Sequence, residues 1–161
     1  MQKFQVNLQL DISEQDTEKI TDLVVLSTAL VIEQQTIKRA ETFGENFNHG
    51  LAIINSLALM HVLHNTTNNK IFFVVFYMPM ILLFAKMGFT HTKQKQIAKN
   101  ELNRTSAQND ALITVLKSSN KQTIHQIAET YTQEIGDTPI NDITKHQANN
   151  IIGHILMRYQ R

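Results

Sequence analysis

The chain has 161 residues, 15 Lys and Arg against 14 Asp and Glu, and no cysteine. The near-neutral balance argues against a general nucleic-acid binder, and the missing thiols exclude disulfides, zinc ribbons and cysteine nucleophiles. With only 5 Gly and 2 Pro, turns are scarce, so an all-α fold is expected within one domain spanning 1–161.

The opening MQKFQVNLQL lacks the continuous apolar core of a signal peptide. Residues 3–12 alternate instead. Phe4, Val6, Leu8, Leu10 and Ile12 share one side, and Gln5, Asn7 and Gln9 share the other. That period predicts one N-terminal β-strand. An outward row of Gln and Asn resembles the ribbon of ribbon-helix-helix repressors over about ten residues, a DNA-reading alternative. The acidic surroundings oppose it, and no nucleic-acid partner is expected.

Ser13 is placed to cap a helix, with Asp16 three residues on. The spacing predicts a helix from there to about Thr42, broken or bent by Gly44 and the polar run after it. Residues 1–45 hold eight acids and four bases. From Asn46 to Ala85 the only formal charge is Lys70. Two apolar segments fill this stretch, LAIINSLALMHVL (51–63) and IFFVVFYMPMILLFA (71–85), joined by the turn-forming NTTNN. They predict a hydrophobic two-helix hairpin over 46–89. Pro79 is tolerated in a membrane helix more readily than in a soluble one. Asn55 and Ser56 are expected to bond across to the facing helix.

Beyond Phe89 the chain becomes polar. Ala98, Leu102, Thr105, Asn109, Leu112 and Leu116 form a narrow, half-polar seam, expected mainly as the sticky edge of a solvated helix. Ile124, Ile127, Ala128, Tyr131 and Ile135 line an amphipathic helix that stops at Gly136. A last helix is expected to start at Thr138 and Pro139, with Ile140, Ile143, Ile151, Ile155 and Tyr159 inward. These flanking amphipathic helices make 1–45 an N-terminal strand and helix, and 90–161 a polar helical tail.

The chemistry candidates are few. His61 and His64, spaced i, i+3, can face one metal or haem, but no acid between Glu45 and Glu101 completes such a site. A structural role is expected, with no cofactor and no metal. No Gly-rich phosphate loop, GxSxG or HExxH is present. The expected function is a non-enzymatic, membrane-anchored helical protein working through protein–protein interaction, as an adaptor, assembly subunit or immunity-type blocker. Its partner-binding residues would be Ile124, Ile127, Tyr131, Ile135, Ile151, Ile155 and Tyr159, against another protein or its own copies. Lys38 and Arg39 precede the hairpin, and Lys86, Lys93, Lys95, Lys99 and Arg104 close or follow it. The positive-inside rule then puts both termini in the cytoplasm. A mean hydropathy of −0.20 keeps open a cytoplasmic alternative, a soluble oligomeric bundle with the hairpin buried inside.

Overall fold

A computed structural model describes residues 13–65 and 70–160. Four α-helices are present there: α1 Glu14–Asn65, α2 Lys70–Ser118, α3 Lys121–Ile135 and α4 Lys145–Tyr159. The all-α class holds. There is no strand among the described residues, and the alternating segment 3–12 lies outside them.

Ser13 caps α1 as its sequence position suggests. The Asp16 N–H donates to Ser13 Oγ at 3.1 Å, and Ser13 Oγ donates back to the Asp16 carboxylate at 2.7 Å. The expected end near Thr42 is corrected, because α1 runs unbroken through Gly44 and Gly50. A helical glycine costs about 1 kcal/mol against alanine, too little to end a helix whose face is otherwise paired. Likewise α2 passes through Pro79 and across the polarity change at Phe89 without interruption.

The described residues divide into two compact units, one of 13–33 and 103–160, the other Gln34–Leu102. Antiparallel pairing explains this, since it brings the start of α1 to the end of α2. In the first unit the core comprises Leu23 and Leu30 of α1, Leu112 and Leu116 of α2, Ile124 and Ile127 of α3, and Ile152 and Ile155 of α4. Each such side chain contributes about 1.5–3 kcal/mol on burial. Polar contacts fasten its rim. Ser27 Oγ donates to Asn109 Oδ1 at 2.9 Å, His125 Nδ1 meets the Asp16 carboxylate at 3.0 Å, and His154 Nδ1 meets Glu134 at 2.6 Å.

Asn120 caps α3 by accepting from the Thr123 N–H. Gly136 ends it at φ 58, a left-handed conformation that favours glycine. The expected start at Thr138 is corrected. Pro139 leads into a short 3₁₀ turn, Ile140–Asp142, and α4 begins only after Thr144. Thr144 and Gln147 form a reciprocal capping box that Thr138 has no partner to build.

The second unit is a two-helix hairpin. Its facing positions on α1 are Gln34, Lys38, Glu41, Glu45, Asn48, Ala52, Asn55, Leu59 and Val62, alternately four and three apart. On α2 they are Tyr77, Ile81, Phe84, Gly88, His91, Lys95, Ala98 and Leu102, in the same rhythm. Every one is buried or half-buried, whereas most of their neighbours are exposed. This 4-3 spacing is the seam of a coiled coil. The half-polar run from Ala98 to Leu116 is therefore a packed helix face, with Ala98, Thr105, Leu112 and Leu116 all buried.

Candidate functional site

The feature that needs an explanation is the outside of the hairpin. Ile53, Ile54, Leu57 and Met60 of α1 are exposed, as are Ile71, Phe72, Val75, Phe76, Leu82, Leu83 and Phe89 of α2. Only 6 % of the most apolar stretch of α2 is buried, against 39 % for α1. The difference has a cause. The apolar residues Leu23, Val24, Leu26 and Leu30 of α1 sit in the core of the four-helix unit, so their hydrophobicity is already satisfied. The aliphatic and aromatic side chains of 51–63 and 71–89 have no comparable cover. Soluble monomers rarely expose contiguous apolar patches beyond a few hundred Å².

Both α1 and α2 are long and apolar enough to cross a membrane, but the most apolar stretch of α1, 39 % buried, lies in its core-packed first half, since only Asn48 and Leu59 are buried between 46 and 65. Asn46 to Asn65 is twenty residues without a formal charge, about 30 Å of helix and the thickness of a hydrocarbon layer. Polar groups within this arm are satisfied locally. Asn55 Nδ2 donates to the Leu51 carbonyl and Ser56 Oγ to the Ala52 carbonyl, each at 2.8 Å. This corrects the expectation that they bond across the hairpin. A carbonyl one turn back is always in reach, whereas a partner on the other helix must be supplied.

A titratable layer lies where the apolar belt ends. His91 Nδ1 meets Glu41 Oε2 at 2.7 Å, and Glu45 accepts from Lys95 Nζ at 2.7 Å and Thr92 Oγ1 at 2.9 Å. The Lys95 and Thr92 hydrogen bonds hold the Glu45 carboxyl below the usual glutamate range against the opposing effect of burial. Glycine makes room for both imidazoles of this layer. A Cβ on Gly44 would lie 2.8 Å from the His91 ring, and one on Gly88 2.7 Å from the His49 ring. His49 also meets the Phe89 ring edge to face, with centroids 5.7 Å apart. Two helices thus approach closely through reciprocal glycine–histidine contacts.

His61 and His64 are both exposed, and His61 meets Asn65 at 3.2 Å. No group of three His, Cys, Asp or Glu that could hold a metal occurs among the described residues. The isoleucine faces pack within the chain. Ile124, Ile127, Tyr131, Ile151 and Ile155 are buried in the four-helix core, and Ile135 and Tyr159 pack against it. In this chain α3 and α4 present these faces to each other and to the two long helices. A groove of about 810 Å³ is lined by Thr114, Asn120, Thr123, Gln126, Arg158 and Tyr159 among others, with no carboxylate or histidine on its wall.

Sequence reasoning found the hairpin but missed the His49, Gly88, Gly44, His91, Glu41 layer. The signal was present as 4-3 spacing through polar residues. A search for apolar periodicity passes over it.

No protein-family model matches the chain, and no curated protein or solved structure shows a significant likeness to it.

Proposed function

We propose that residues 46–89 enter a lipid bilayer as a helical hairpin and that the four-helix unit works beside the membrane as an interaction module without turnover. The observation that carries this reading is the uncovered apolar belt on both arms. The length of the second arm supports the same reading, since the nineteen residues of 71–89 rise about 28 Å against a ~30 Å hydrocarbon layer. Lys86, inside the end of the belt, reaches the headgroups along its own apolar stem. The basic residues lie on the Lys38 and Lys93 side and only Lys70 lies at the tip, so the proposed orientation has both helix ends in the cytoplasm. With the isoleucine faces committed to the core, a protein partner would meet the polar outer faces of the four-helix unit.

Alkaline carbonate extraction of the expressed full chain tests the reading. Retention in the membrane pellet is expected, with release caused by Leu57→Lys together with Val75→Lys. Recovery of the unaltered chain as a detergent-free oligomer would replace the bilayer with neighbouring copies of the chain as the cover for the belt.

A further inference from the structure

We propose that the base of the hairpin recognises anionic phospholipid headgroups, so that the protein selects acidic membranes. This rests on the bilayer reading above and adds the chemistry of the surface it fits. Residues 34–102 carry seven bases and three acids. Since the whole chain is only +1, the remaining residues are net acidic, and the attraction to an anionic surface resides in the hairpin unit.

The acids nearest the belt are already engaged. Glu41 is held by His91, and Glu45 by Lys95 and Thr92. Lys38, Arg39, Lys86 and Lys93 have no carboxylate within ion-pair distance among the described residues. Arg39 lies seven residues before Asn46, about 10 Å along the helix, and Lys93 four past Phe89, about 6 Å. Their side chains are long enough to close most of that gap. All four cations therefore meet the same face of a bilayer that holds the belt.

A groove supplies the second observation. It has a volume of about 230 Å³ and is lined by Gln35, Lys38, Arg39, Thr42 and Leu102. Lys38 and Arg39 bring two bases to its lining, while the Thr42 hydroxyl donates to the Lys38 carbonyl at 2.8 Å. Arg and Lys together suit a phosphodiester, the first by its forked N–H groups and the second as a mobile point charge. The groove has the volume of several water molecules, enough for a phosphate at its Thr42 end.

The test uses the full chain and vesicles of phosphatidylcholine, alone or with about a third phosphatidylglycerol. Each cation at an anionic surface is worth about fivefold in partition. The unaltered chain is expected to favour the acidic vesicles by at least about tenfold, a preference lost in about 1 M salt where screening reaches ~3 Å. Lys38→Gln with Arg39→Gln is expected to remove most of the preference while partition into neutral vesicles stays the same. Lys117→Gln, in the other unit, is expected to leave the preference intact. Equal partition into both vesicles, or a preference insensitive to salt, overturns the headgroup inference and leaves the hairpin reading standing. A preference abolished by free inorganic phosphate also overturns it, by showing a soluble-anion site. Failure to bind either vesicle overturns the hairpin reading itself. Helical circular dichroism in detergent identifies a variant that has not folded, and the salt dependence of the unaltered chain then decides.

Discussion

Tyr131 sits in the core of the four-helix unit, 2 % exposed, with its hydroxyl buried and no hydrogen-bond partner among the described residues. Burial first, and the nearby Asp22 carboxylate second, push its phenol up to about 12. An unsatisfied hydroxyl costs about 1–3 kcal/mol on burial. Tyr131→Phe keeps the ring and removes the orphan. It is expected to stabilise the protein by about 1 kcal/mol and raise Tm by about 2–4 °C, read by thermal unfolding. A fall in Tm would show that the hydroxyl has a partner. Tyr159 differs, because its hydroxyl meets Thr130 at 3.1 Å.

At the scale of the element, the start of α1 joins a cap to a tertiary contact. Ser13 first, and His125 after it, hold the Asp16 carboxyl below the ordinary aspartate value of 3.8. A folded value below the unfolded one gives stability that is full above the unfolded value. It is lost as pH falls through the folded value. Asp22 works in the opposite sense, because burial and Glu18 raise its carboxyl. Ser13→Ala is expected to cost about 1 kcal/mol at neutral pH and to shrink the loss of stability below about pH 4, checked by denaturant titration at both pH values. An unchanged acid profile would assign the pH dependence to other carboxylates.

The elements also show what could be read in advance. The hairpin was legible because uncharged apolar runs this long have few uses. The face of α3 and its glycine stop were legible because periodicity and cap agree. The length of α1 was not. Gly44, Asn48 and Gly50 carry breaker chemistry locally, and only the facing α2 shows that Gly44 is there to admit His91. The same holds for the interior of the coiled coil. Gln34, Glu41, Asn48 and Asn55 fall seven apart, but a polar repeat has no meaning until a partner helix is placed against it.

At the scale of the whole molecule, the two units satisfy their apolar side chains by different means. The four-helix unit does so within the chain, with Ile124, Ile127 and Ile155 fully buried. The hairpin leaves Ile71 81 % and Phe72 67 % exposed. Amide exchange should separate them. Amides around Ile127 and Ile152 are expected to be slow with or without detergent micelles, whereas those of 51–63 and 71–89 are expected to slow at least about tenfold when micelles are added, since local opening governs exchange. Equal protection of both regions in plain buffer would show that the belt is covered by protein.

The polar seam also bears on how the chain is made. Taken singly, the first arm is a poor passenger for a lipid interior, with Asn46, Asn48, His49, Asn55 and Ser56 along it. The second arm, fifteen consecutive apolar or aromatic residues from Ile71 to Ala85, is a good one. On the bilayer reading, the earlier-synthesised segment must wait at the surface until the later one emerges, and the two then enter as a zipped pair. Biogenesis would run opposite to the order of translation, with the second helix drawing in the first.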